Sequence, residues 1–278
     1  MDTGFLRRLQ TLQQERRSLL CIGLDPDPEH LPAFLEPDRH PVEALRWFVG
    51  ELIEATHELV CAFKFNTAFY EAHGPAGWAA LERLVSSVPP GPLVILDAKR
   101  ADIAHTTRFY ARALFDRMPR ADALTASPYM GLEALEPFFA YAERAVFLLC
   151  RTSNPGARDL QERRLEGGRP LFQELASLAH SWARDRHLAL GLVVGATSPE
   201  AIRLVRQEAP DLPLLIPGIG AQGGMLEEAV RAGTENKGPV LITVSRAILQ
   251  AGSGPDFADR AREAAERFRA VLWQHRAP

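Results

Sequence analysis

Eight short apolar runs recur along this chain: Leu19–Leu24, Val60–Phe65, Leu93–Leu96, Ala123–Ala126, Ala145–Cys150, Leu188–Val194, Pro213–Ile216 and Val240–Val244. Most are bounded by Gly, Pro, Asp or Ser. They are too short for helices and nearly continuously apolar, as strands covered on both faces are. Helical patterns lie between them. Val42, Leu45, Val49, Leu52, Ile53 and Thr56 fall on one face at spacings of three and four, as do Trp78, Leu81, Leu84 and Val85. Phe257, Ala261, Ala264, Ala265, Phe268 and Leu272 form a last stripe. Ser198-Pro199-Glu200 is a helix start, with a capping hydroxyl, a proline suited to the first turn and an acid at the positive helix end. Repeated strand–helix units force parallel pairing with right-handed crossovers. Eight of them predict an α/β fold, a single (β/α)8 TIM barrel spanning residues 1–278, with an open doubly wound sheet as the alternative. Residues 1–17 are expected to form an N-terminal helical extension, and residues 151–170 a long loop after the fifth strand, of the kind that often serves as a lid.

Composition narrows the partners. With 278 residues and 46% hydrophobic content, the chain can bury a sizeable core. A net charge of −3 argues against a broad footprint for nucleic acid or an anionic membrane, while leaving room for a local cation cluster. No apolar stretch is long enough to span a bilayer, and the N-terminal residues lack a signal-peptide pattern. Cys21, Cys61 and Cys150 are too few and too widely spaced for a disulfide framework or a zinc cluster, so a cytoplasmic setting is expected.

Barrels place chemistry at the C-terminal ends of their strands. There this sequence puts Asp25 after the first strand, Lys64 in the second, Asp97-Ala98-Lys99-Arg100-Ala101-Asp102 after the third and Ser127 after the fourth. Asp97 and Lys99 are two apart and are expected to share a strand face, with Asp102 in the turn that follows. Together with Lys64 they form an alternating array of two lysines and two aspartates. Such an array could simply close the barrel top. However, a lysine flanked by carboxylates is held charged, which disfavours Schiff-base chemistry and favours carbanion stabilisation or proton donation.

Gly218-Ile219-Gly220-Ala221-Gln222-Gly223 formally matches a dinucleotide-binding turn. It follows the seventh strand rather than the first, and no acid lies about 20 residues on, as that motif requires. Loops after strands seven and eight are instead the usual barrel phosphate site, where glycine N–H groups and a bidentate Arg246 suit a phosphate. His105, Arg100 and Arg151 are expected at the surface or anchoring loops, and Tyr129 and Met130 in packing.

At this point the residues resemble a known family. Asp97 to Thr106 is similar to the D-x-K-x-x-D-[IV]-x-x-T signature of orotidine 5′-monophosphate decarboxylases. Cys21 to Pro28, Ser127 to Gly131, Arg151 to Gly156 and Pro217 to Gly224 resemble the longer subfamily (type 2) found in many bacteria. The chain departs from it at Phe65, where proline is common, and at Ala101, where glycine is common. The resemblance implies a carboxy-lyase that needs no cofactor and no metal, converting orotidine 5′-phosphate to UMP and CO2 as the last step of de novo pyrimidine synthesis. It implies Lys99 as proton donor, Asp97 against the leaving carboxylate, and Lys64 and Asp25 on the ribose. Asp102 and Thr106 are expected to reach the site across a homodimer interface, Ser127 to bind the base, and Gly220, Gln222 and Arg246 to serve the phosphate.

Three other readings compete with this one. A magnesium-dependent hexulose-phosphate synthase or gulonate-phosphate decarboxylase shares the D-x-K-x-x-D array but carries a metal-binding Glu where Lys64 stands. A lysine aldolase is disfavoured by the flanking carboxylates. A catalytically silent nucleotide-binding barrel could lose a member of the array, and here all four are present.

Overall fold

The computed structural model describes residues 4–32, 34–35, 40–218 and 223–277, without the side chains of 223, 224 and 237. Its eight strands are β1 (Leu20–Gly23), β2 (Ala62–Asn66), β3 (Leu93–Arg100), β4 (Ala123–Ala126), β5 (Ala145–Arg151), β6 (Leu190–Val194), β7 (Leu214–Ile216) and β8 (Val240–Val244). Each pairs in parallel with the next, and β1 pairs with β8, so the sheet closes into a barrel in sequence order. The open sheet is thereby excluded.

Strand alternation separates two apolar compartments. Ile22, Phe63, Val94, Leu96, Leu124, Val146 and Leu148 face outward and pack under the helices. Val42, Leu45, Val49, Leu52, Ile53 and Thr56 are all buried on the helix Pro41–Thr56. Ser198 caps the helix Pro199–Glu208, its hydroxyl accepting from Ala201 N at 3.3 Å. The intervening strand residues Cys21, Ala62, Leu93, Ile95, Ala123, Phe147 and Val193 fill the barrel interior.

The floor of that interior comes from the N-terminus. The helix Gly4–Arg16 inserts Phe5, Leu9 and Leu12 among those inward residues, with the Phe5 ring edge-on to Phe147 at 5.9 Å. Asp122, just before β4, ties this helix to the barrel. Its carboxylate accepts from Val94 N at 2.8 Å, from Arg8 at 2.6 Å and from Arg120 at 2.9 Å. The interior is therefore apolar at the end where strands begin, and polar residues are left to its other end.

Two elements differ from sequence expectation. β3 runs four residues further than the apolar run suggests, to Arg100, because its last positions pair although they are polar. The segment after β5 has its own structure. A short helix, Ala157–Leu160, is followed by a bridge between Arg164 and Pro170, and Arg151 binds Glu162 at 2.7 Å and Thr197 at 3.1 Å. Among the described residues no helix is long and apolar enough to cross a membrane.

Candidate active site

The inward positions at the C-terminal ends of β1 to β4 converge on one carboxylate. Lys64 Nζ lies 3.0 Å from Asp97 Oδ2 and 3.4 Å from Asp25 Oδ1. Lys99 Nζ lies 2.7 Å from Asp97 Oδ1. Asp25 is held from its other side by Ser245 Oγ, which donates to Oδ2 at 2.9 Å. Gly23 makes room for that contact, since a Cβ there would fall 2.0 Å from the Ser245 hydroxyl. The result is a continuous chain, Asp25–Lys64–Asp97–Lys99, across three strands.

Its members differ in access to water. The Lys64 side chain is 4% exposed and Asp97 12%, whereas Lys99 is 47% exposed. Burial opposes the Lys64 charge, but the carboxylates of Asp25 and Asp97 outweigh it and hold its pKa above the ordinary lysine value. Burial likewise pushes Asp97 up, and Lys64 and Lys99 more than reverse this, holding it well below the usual carboxylate range. Asp97 therefore adds stability above the normal carboxylate pKa, lost only as pH falls through its depressed value. Lys64 adds stability below the normal lysine pKa, lost only as pH rises through its raised one. Both stay charged between about pH 5 and pH 9.

The lysine flanked by two carboxylates is thus Lys64, and Lys99 meets one. Nor does Lys99 continue a regular strand. Its φ is +49°, in the left-handed region. The pairing of β3 with β4 passes from Leu96↔Leu124 to Arg100↔Ala126, so Asp97, Ala98 and Lys99 together face Thr125. Thr125 spans this bulge: Lys99 N donates to Thr125 Oγ1 at 3.0 Å, and the hydroxyl donates to Asp97 Oδ1 at 2.8 Å. Sequence reading missed Thr125 and Ser245. The available signal for Thr125 was alternation, since it is a hydroxyl at the inward position two after Ala123.

The other expected residues that the structure describes follow the C-terminal ends of β3, β4 and β8. Asp102 is not joined to the array within the chain; its Oδ1 accepts from Ile103 N at 2.7 Å, and its carbonyl accepts from Thr107 Oγ1 at 2.7 Å. Thr106 is half-buried on the helix Ala104–Ala111. Ser127 is half-buried after β4, its N–H donating to Arg100 O at 3.2 Å. Arg246 is exposed and opens the short helix Arg246–Leu249 directly after β8. Gly220 and Gln222 fall outside the described residues. Just before them, Gly218 takes φ +93°, and Ser153 packs close against Gly195 and Gly218, which draws the ends of β5, β6 and β7 together. His105 is exposed, as expected. Tyr129 and Met130 do not pack into the core: Tyr129 is 81% exposed and Met130 is exposed too. They follow a polar strand end and precede the helix Leu132–Phe139, so no layer covers them.

A family model described as Orotidine 5′-phosphate decarboxylase / HUMPS family matches residues 18–261. The chain belongs to this family. Among curated relatives, the orotidine 5′-phosphate decarboxylase of Roseiflexus sp. (strain RS-1) is 52% identical over 263 residues, covering 93% of each chain. That of Thermomicrobium roseum is 52% identical over 271 residues, covering 97% of this chain and 95% of the relative. A solved structure of Leishmania donovani OMP decarboxylase is 41% identical with a TM-score of 0.79, covering 95% of this chain and 98% of that one. These decarboxylases and this chain share a barrel at nearly full length.

Thr125 acts on this centre only through Asp97 and Lys99. Thr125→Val should lower kcat about 10- to 100-fold by releasing the bulge, with KM changed far less. Thr125→Ser, which keeps the hydroxyl, should restore most of kcat; a valine variant with undiminished kcat would remove Thr125 from the positioning role.

Proposed function

We propose that this chain decarboxylates orotidine 5′-phosphate to UMP and CO2 without metal or cofactor, in the cytoplasm, as the last step of UMP synthesis. The observation that carries the reading is the Asp25–Lys64–Asp97–Lys99 chain at the barrel mouth, with every member in contact. Full-length identity to named decarboxylases supports the same substrate.

The chemistry follows from these positions. The carbon–carbon bond to the substrate carboxylate breaks, CO2 leaves, and the electron pair stays on C6 of the pyrimidine. Lys99, beside that carbon, stabilises the developing negative charge and gives C6 a proton. The neutral amine is recharged from water, which the half-exposed Lys99 can reach and the sealed Lys64 cannot. Asp97 faces the leaving carboxylate while fixing both ammonium groups. Lys64 and Asp25 are assigned to the ribose hydroxyls and Ser127 to the base. Arg246, Gln222 and the Gly220 backbone are assigned to the phosphate, whose binding energy, remote from C6, closes the loop that holds it.

Asp102 and Thr106 are assigned to the site of a second copy. Supporting this, Asp102 is free of the array within its own chain and directly precedes an exposed apolar stretch. Ile103, Phe109, Tyr129 and Met130 are all exposed, on or beside two helices that pack together, Ala104–Ala111 and Leu132–Phe139. A soluble chain covers such a surface by association.

The metal-dependent branch of the family is the alternative. Here the cation between Asp25 and Asp97 is the Lys64 ammonium, which would repel a divalent ion. EDTA-treated protein should therefore form UMP from orotidine 5′-phosphate at an unchanged rate, followed chromatographically. A rate lost to EDTA and restored by magnesium would overturn the reading. The shared site has its own test: mixing inactive Asp102→Ala and Lys99→Ala proteins should recover up to about a quarter of wild-type activity, because hybrid dimers rebuild one intact site. If the mixture stays inactive, each chain supplies its own Asp102.

A further inference from the structure

The end of the barrel opposite the charged array carries a groove of about 810 Å3 between the end of the N-terminal helix and the end of the helix Phe257–Gln274. Its charge runs against that of the chain. Arg16, Arg17, Arg269 and Arg276 line it beside one acid, Glu15, on a protein of net charge −3. Arg16 is fixed by donating to the carbonyls of His57 and Val60, just ahead of β2; among the described residues no carboxylate forms a salt bridge with it, and Glu15 and Glu58 act on it at longer range. Arg17 sits in the left-handed region with φ +47° and, among the described residues, makes no side-chain hydrogen bond or ion pair. Arg269, half-buried, makes none either. Arg276 lies over the Trp273 ring at 3.8 Å and donates to Trp273 O at 2.7 Å, so its guanidinium covers one face of an indole that otherwise packs against the core.

Two unpaired guanidinium forks beside a fixed third cation recognise phosphate oxygens, each fork bidentately. One phosphate would engage two of these arginines and leave much of the groove empty. A chain of phosphates matches the local excess of about three positive charges, and the Arg276 guanidinium stacked on Trp273 offers a flat platform for a base. We propose that this groove binds the polyphosphate of a nucleotide, with Arg17 and Arg269 on the phosphates and the Arg276–Trp273 stack against the base.

The site lies on different elements from the decarboxylase array, so it stands whether or not that array acts as assigned. Titration calorimetry of the full chain with ATP and with inorganic tripolyphosphate tests it. ATP should bind saturably, and Arg17→Gln/Arg269→Gln should weaken it at least about tenfold, each arginine contributing charge-assisted bonds. The double variant should keep its thermal midpoint, because neither side chain has a partner to lose. Trp273→Leu should weaken ATP severalfold and leave tripolyphosphate unchanged. Any ATP binding at the barrel mouth would survive the double substitution, so an unaltered affinity overturns the proposal, as does the absence of saturable binding. Tripolyphosphate binding as tightly as ATP, with Trp273→Leu silent, overturns the base contact and with it the nucleotide.

Discussion

The Asp97 carboxylate holds the candidate site together. One oxygen takes the ammonium of Lys64, and the other takes Lys99 and the Thr125 hydroxyl. Isolated burial would protonate an acid or neutralise a lysine. Here Lys64 and Asp97 stay charged while largely buried because each faces opposite charge. Removing Asp97 would leave Lys64, almost fully enclosed, with Asp25 as its one counter-ion, the kind of loss that costs about 3–5 kcal/mol when a buried pair is broken. The array is therefore one electrostatic unit, and its four members cannot be weighed separately.

The barrel supplies the two conditions this unit needs. Strand alternation brings inward residues of neighbouring strands to one axis, and the N-terminal helix closes the far end with Phe5, Leu9 and Leu12. Along the barrel axis, the lysine–aspartate array then gathers at the C-terminal mouth. The second condition is precision beyond regular strand geometry. The bulge opposite Thr125 gives Lys99 a positive φ, a conformation a lysine rarely adopts and one that surrounding bonds must maintain. Such strain is found where a side chain has to be aimed, and here it aims Lys99 at Asp97 and at the open mouth.

Much of this was legible in the sequence, for physical reasons. Continuous apolar runs of strand length read as strands covered on both sides, so counting eight of them pointed to a barrel, while the β1–β8 pairing that excludes an open sheet has no mark in the sequence. Asp97, Lys99 and Lys64 stood out because charges at strand ends have nowhere to go but the mouth. Thr125 did not stand out, because a hydroxyl in an apolar strand has no distinctive pattern; its meaning comes from a bulge on the neighbouring strand. For the same reason β3 was read four residues short. Tyr129 and Met130 were misread as packing residues because their apolar character says nothing about whether a layer lies over them. The loop proposed to hold the phosphate is marked by glycines in the sequence, yet Gly220 and Gln222 lie outside the described residues, so their assignment rests on the motif.

The central claim is that Lys99, and not the sealed Lys64, delivers the proton to C6. Turnover of Lys99→Ala on orotidine 5′-phosphate, measured alongside its thermal midpoint and its affinity for UMP, tests this most directly. The account predicts a protein that stays folded, still binds UMP and loses nearly all kcat. A folded variant that turns over at the wild-type rate would contradict it.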